Sequence, residues 1–345
     1  MQKPFFSIII PAYNLENYIA ATLQSVLVQT FQDFEIIIVD DGSSDETVSI
    51  IQSFHDPRIR LVSQVNGGVS RARNAGMKKA VGAYIAFLDG DDYWYPEHLE
   101  LAADFFNHHP EILAYANRYM RDELEAIPPR PPSYPESIRR LGIRGVLFMN
   151  SSSVILNSSL ASRLPPWEEA MPYGEDGLYW TRCMRGTGLI GLGGSVTSIY
   201  RQRASSAMHD EHYQHVSLHS LIAPLLNELE AMKNPKWQFA VHYLVIRELH
   251  PKRLLSLNAE ERISLTGRIR KIMHPCLNRP FLDSYMKACS ARAGMEQSFS
   301  ALMDRTMFSC KWLDRLERMG RSLFFRLQTN NGMGGKHQDP ARSRS

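Results

Sequence analysis

The sequence predicts an α/β fold: a mostly parallel sheet flanked by helices, followed by a helical C-terminal extension. Two observations carry this. Short, continuous apolar runs alternate with segments of helical periodicity, the pattern of βαβ units. Each of three such runs is closed by a polar or acidic cluster, as at the carboxyl ends of strands in open sheets. With 345 residues, 44% hydrophobic and 22% charged, the chain can bury a full core.

The elements follow in order. Residues 5–10 form an apolar, partly β-branched run that meets Pro11, the pattern of a strand buried on both faces. Ile19, Leu23, Val26 and Leu27 recur at helical spacing within residues 15–28, with Asn14 as the expected N-cap. A second buried strand over residues 34–39 stops at Asp40-Asp41-Gly42. Ser43 or Ser44 is expected to cap a short helix carrying Val48, Ile51 and Phe54. A strand at 59–62 leads through Asn66-Gly67-Gly68 into a helix reaching Ala80, and a fourth strand at 83–88 is closed by Asp89-Gly90-Asp91-Asp92. The proline-rich stretch 127–135 is expected to be a loop. Short strands are expected at 146–148 and 153–156. After Pro165-Pro166 and Pro172, Gly174 opens a helix near Glu175. From about Leu218 the sequence becomes helix-like and basic. The expected division is a sheet domain over 1–210, a helical extension over 211–328 and a disordered tail over 329–345.

Composition excludes some function classes. A formal net charge of +3 does not suggest wholesale nucleic-acid binding. The four cysteines, Cys183, Cys276, Cys289 and Cys310, have no metal-like spacing and read as free thiols of a reducing cytosol. No run reaches the roughly 18 apolar residues of a membrane span, so the expected location is cytoplasmic.

The DGDD segment places three carboxylates within four residues. They repel one another unless a cation or hydrogen bonds hold them, and hard ions such as Mg²⁺ and Mn²⁺ suit carboxylate oxygens. A solvated acidic turn is the competing reading. Asp40-Asp41-Gly42-Ser43 can accept hydrogen bonds from a ribose or base, or simply form a turn with helix caps. Neither GxGxxG nor a P-loop is present.

Taken together, FSIIIPAYNLENYIAATLQSVLVQTFQDFEIIIVDDGSSDET, NGGVSRARNAG and YIAFLDGDDYW resemble family 2 inverting glycosyltransferases of the GT-A fold, of the bacterial surface-polysaccharide type. The resemblance runs from residue 5 to about 95 and resumes at Tyr173-Gly174-Glu175-Asp176 and Tyr200-Arg201. It implies a nucleotide-sugar donor, UDP-linked by expectation, and a glycan or glycolipid acceptor. It implies that Pro11, Ala12 and Tyr13 line the base pocket, that Asp40 contacts uracil or ribose, and that Asp41 is its neighbour there. Gly68, Arg73 and Asn74 fall beside the donor. Asp91, with Asp89, matches the carboxylates that contact Mn²⁺ or Mg²⁺, Asp89 facing either the ribose or the metal's water shell. Asp176 matches the catalytic base, with Glu175 as the alternative base or an acceptor-binding partner. Where the family often has Tyr-Arg-x-His, this chain has Arg203, which can pair with phosphate but cannot ligate a metal. His209 is the other candidate ligand. Two rival readings are an inactive sugar-nucleotide binding module and a nucleotidyltransferase; the acidic pairs argue against the first, and Pro11-Ala12-Tyr13-Asn14 in place of a glycine-rich basic loop against the second.

In residues 311–327, Trp312, Leu316, Met319, Leu323 and Leu327 form an apolar stripe among Lys311, Arg315, Arg318, Arg321 and Arg326. Such a helix can lie on an anionic membrane or dock on its own domain.

Overall fold

The computed structural model describes residues 3–122, 137–139, 149–171, 173–202, 218–231 and 260. All of them fall within the first of two compact units, Met1–Ile272. The expected strand at 146–148, Arg203, His209, the stripe at 311–327 and the tail lie outside the described residues.

Four strands, β1 (Phe6–Ala12), β2 (Phe34–Asp40), β3 (Ile59–Ser63) and β4 (Tyr84–Phe87), pair in parallel in the spatial order β3-β2-β1-β4. Between them run α1 (Ile19–Leu27), α2 (Thr47–Gln52) and α3 (Val69–Lys79). The sheet continues through β5 (Tyr93–Trp94), β6 (Ala114–Asp122), β7 (Ser137–Arg139), β8 (Val154–Asn157) and β9 (Ile190–Arg201), in the order β8-β6-β9-β5 with β7 beside β9. β8 is antiparallel to both β4 and β6, and β6 is parallel to β9. The carboxyl ends of β1 to β4, β6 and β9 therefore share one edge, and β8 starts there. The remaining helices are α4 (His98–His108), α5 (Ser158–Ala161), α6 (Glu175–Thr187) and α7 (Leu218–Ala231).

Alternation along β1 explains the two-faced core. Phe6, Ile8 and Ile10 pack in the cluster with α1 and α4, while Ile9 joins the one with Phe87, Tyr179 and Trp180. Burial on both faces is why these strands read as unbroken apolar runs.

Local starts differ from expectation. β1 runs through Pro11 to Ala12. Ile9 accepts from the N–H of Leu88, so alternation turns Pro11 toward β4, whose register ends at Phe87. The missing proline N–H therefore loses no ladder bond. α1 begins at Ile19, not after Asn14; Asn14 takes a φ of 51° and its Oδ1 accepts from the N–H of Ser44. α2 is opened by Asp45, whose carboxylate accepts from Thr47 N, rather than by Ser43 or Ser44. These changes share one cause. The loops after β1 and β2 cap each other, Ser43 Oγ accepting from Asn14 N and Asp45 from Glu16 N.

Beyond the expected domain limit near 210, α7 packs on α6. Glu228 accepts from Arg182 Nε at 2.9 Å and Arg185 Nη1 at 2.6 Å, and Ile222, Leu225 and Leu226 are buried.

Candidate active site

The common edge gathers Asp40, Asp41, the DGDD turn and the start of α6. Asp40 is almost fully buried at the end of β2, and its Oδ1 accepts from Ser43 N at 3.0 Å. Asp41 has a different task. Its two oxygens accept from Gln64 Nε2, Gly67 N and Gly68 N at 2.7–3.1 Å, so it shapes the turn that starts α3. Tyr13 is 48% exposed at the rim, whereas Pro11 and Ala12 are buried.

The DGDD turn is not a solvated loop. A Cβ at Gly90 would lie 2.8 Å from the carbonyl of Pro11 and 2.6 Å from Leu15, so only glycine allows this approach. Thr22 Oγ1 reaches the carbonyls of Gly90 and Asp92 at 2.9 and 2.8 Å. The three carboxylates have separate environments. Asp92 is fully buried and accepts from Ser152 Oγ at 2.5 Å and Arg201 N at 3.0 Å. Burial, helped by Asp91 and Asp89, pushes its carboxyl well above the usual carboxylate range. Asp92 is thus a structural tie between β4, β8 and β9. Asp89 and Asp91 are half-buried.

Asp89 accepts from Arg73 Nη2 at 2.7 Å, and Arg73 Nη1 donates to Glu175 at 2.9 Å. Arg73 is 3% exposed, with its guanidinium 4.5 Å over the ring of Trp167. Burial opposes its charge, but Asp89 and Glu175 outweigh that and raise its pKa. Both terminal nitrogens of Arg73 are thus held by carboxylates of the protein itself. Asn74 binds protein as well. Its amide accepts from Trp167 N and donates to Trp167 O, both at 2.9 Å, as a paired strand would.

Gly174, with φ 76°, turns the chain into α6, so Glu175 and Asp176 occupy its first turn, where the helix dipole favours acids. Glu175 is buried. Desolvation first, then the charge of Asp176, raise its carboxyl to about 7 against the pull of Arg73. Asp176 is half-buried, its Oδ1 accepting from Gly177 N at 2.6 Å. Arg73, Trp167 and Ser152 connect the site, yet Trp167 and Ser152 carry no sequence signal beyond a serine run ahead of a strand.

Among the described residues no group of three or more His, Cys, Asp or Glu side chains is arranged to hold an ion. The donor set at Asp89 and Asp91 is nevertheless all carboxylate oxygen. It fits a hard divalent ion that completes its shell with water and phosphate, as Mg²⁺ and Mn²⁺ do.

The family model for "Glycosyl transferase family 2" matches residues 7–159. An Escherichia coli protein, the UDP-Glc:α-D-GlcNAc-diphosphoundecaprenol β-1,3-glucosyltransferase WfgD, is 32% identical over 212 residues, covering 60% of this chain and 80% of that one. A Bacillus subtilis glycosyltransferase, EpsJ, is 50% identical over 92 residues, 26% of this chain and 27% of that one. The chain thus spans about a quarter of EpsJ, and less of several longer relatives. Among solved structures, Staphylococcus aureus TarS 1–349 in complex with UDP-GlcNAc superposes with a TM-score of 0.64 at 22% identity, covering 84% of this chain and 88% of that one. The mannosyltransferase PcManGT from Pyrobaculum calidifontis, in complex with GDP-Man and Mn²⁺, gives 0.53 at 15% identity over 84% and 87%. The fold is the GT-A fold, and the chain belongs to glycosyl transferase family 2.

Proposed function

We propose that the chain transfers a sugar from a UDP-linked donor to a hydroxyl of a glycan or glycolipid, with inversion at the anomeric carbon and with Mn²⁺ or Mg²⁺ at Asp89 and Asp91. One observation carries this reading: strand-end carboxylates and the Glu175–Asp176 pair meet at one sheet edge, and Arg73 touches both sets.

On this reading the nucleotide lies over Pro11, Ala12 and Tyr13, with Asp40 accepting from the base or ribose and Gly68 admitting close backbone approach. The buried floor and exposed Tyr13 suit a flat base held on one face. The ion, when bound, neutralises charge on the diphosphate leaving group. Asp176 takes the proton of the acceptor hydroxyl as its oxygen bonds to C1 and the C1–O bond to diphosphate breaks on the opposite face. Glu175, already paired with Arg73, is the poorer base. Arg203 is assigned to the diphosphate by sequence alone.

The names of WfgD, TarS and PcManGT support the UDP donor, the lipid-linked acceptor and the ion, each for its own protein. No described helix is long and apolar enough to cross a membrane. A cytoplasmic enzyme touching the inner face of the membrane through residues 311–327 would reach a lipid-linked acceptor. A donor-hydrolysis screen with Mn²⁺ tests the core of this reading. UDP-sugars should be consumed and GDP- and dTDP-sugars spared; the reverse preference would overturn the UDP assignment.

A further inference from the structure

Arg73 is buried more completely than helix packing asks of an arginine, and its partners come from segments 16 and 102 residues away. The guanidinium is aimed by three contacts at once. Its face rests on Trp167, which itself stacks on Tyr179 at 4.0 Å, and its two terminal nitrogens point to different carboxylates. Nε has no partner among the described residues, so the terminal fork alone satisfies the charge. Asn74, next on α3, locks the backbone of Trp167 from both sides. The fork therefore has little freedom to favour one carboxylate by moving.

We propose that Arg73 is a positioning residue that couples the two halves of the site, so that what binds Asp89 is felt at Glu175 and the reverse. One cation shared by two carboxylates makes the halves compete for its charge. When an ion or donor draws on Asp89, more of the charge of the fixed guanidinium is left to Glu175; when Glu175 is neutralised, Asp89 has that charge to itself. Coupling of this kind is reciprocal by thermodynamic necessity. It also holds Glu175 in the ion pair with Arg73. This inference rests on the reading of Asp89 as donor-side and of the Glu175–Asp176 pair as acceptor-side.

Two measurements on the full chain test it. The first needs no ligand: urea midpoints of Asp89→Asn, Glu175→Gln and the double variant. Either single variant leaves Arg73 one hydrogen-bonded carboxylate, but the double leaves the buried cation none, with only the nearby charge of Asp176 to offset its burial. The double variant should therefore fall by more than the sum of the singles, and the excess should vanish in an Arg73→Met background. Additive midpoints in the native background overturn the proposal. The second is calorimetry of UDP with Mn²⁺. Glu175→Gln should weaken Mn²⁺-dependent UDP binding at least about fivefold, although Glu175 is assigned no contact with the nucleotide. Arg73→Lys keeps the charge but cannot fork across both carboxylates. In that background the same substitution should change affinity less than about twofold, and an equal shift in both backgrounds overturns the proposal. A native chain that binds no UDP with Mn²⁺ ends the donor reading instead, and the urea cycle then decides the coupling by itself.

Discussion

The parallel half of the sheet, β3-β2-β1-β4, and the mixed half, β8-β6-β9-β5, put carboxylates on the same edge by different means. In the parallel half Asp40 ends β2 and Asp41 directly follows it, and two nearby turns supply the partners. Asp40 accepts from Ser43, and Asp41 from the turn at 64–68. In the mixed half, Glu175 and Asp176 arrive on a helix after a left-handed Gly174, and Glu175 is anchored by Arg73 from across the chain. Acids of the first kind can be picked out one by one, because each sits at the end of a strand that writes an unbroken apolar run. Acids of the second kind acquire their roles from contacts that no sequence window contains.

The largest expected effect probes the mixed half. Asp176→Asn keeps the size of the side chain but removes its basicity, so turnover should fall roughly 10²–10⁴-fold. UDP affinity should stay within a few-fold, as measured by calorimetry. If Glu175→Gln is instead the inactive variant while Asp176→Asn turns over normally, the base is misassigned by one residue.

The DGDD turn brings the comparison down to adjacent residues. Asp91→Ala should remove the Mn²⁺-dependent part of UDP binding. Asp92→Ala should act on stability instead, costing about 1–3 kcal/mol because Ser152 Oγ and the N–H of Arg201 lose their acceptor. Equal Mn²⁺ dependence in Asp91→Ala and the native chain would sink the metal assignment.

Asp40 and Asp41 form a similar pair in the parallel half. Asp40→Ala should weaken UDP binding by about 1.5–3 kcal/mol even without metal, the worth of a charge-assisted hydrogen bond. Asp41→Ala should act mainly through the turn at 64–68, seen as faster amide exchange at Gly67 and Gly68. Nucleotide affinity unchanged in Asp40→Ala would make that carboxylate a turn former like its neighbour.

The same contrast explains how far the sequence could be read. β1 to β4 and α3 are legible because a strand buried on both faces writes an unbroken apolar run, and glycines mark the turns. α4, β5, β6 and β9 were not foreseen. β9 carries Gly191, Gly193 and Gly194, which weaken a strand pattern, yet a Cβ at Gly191 would lie within 2.1 Å of the Phe105 ring. A Cβ at Gly193 would meet Asn117 and Tyr115, so these two glycines are there for packing. The acidic residues gathered at the sheet edge stand out in the sequence, but their partners do not. That Asp41 and Asp92 bind the fold while Asp89 and Glu175 share Arg73 depends on partners 16 to 109 residues distant.

The smallest expected effect is a pH dependence that belongs to the mixed half. Glu175 goes from 4.5 to about 7 on folding, chiefly by burial and secondarily by the charge of Asp176, while Arg73 opposes the rise. Between those values the folded chain keeps a proton that the unfolded chain has released. The contribution to stability is therefore fully present below about pH 4.5 and is lost as pH rises through about 7. Its size is at most about 3 kcal/mol across the window. Glu175→Gln cannot lose a proton, so its stability should fall less between pH 5 and pH 7.5 than that of the native chain. Urea midpoints at both pH values for the two chains give the comparison. Identical slopes for Glu175→Gln and the native chain would mean that the Arg73 contact already keeps Glu175 ionised, and that burial at the start of α6 costs that carboxylate little.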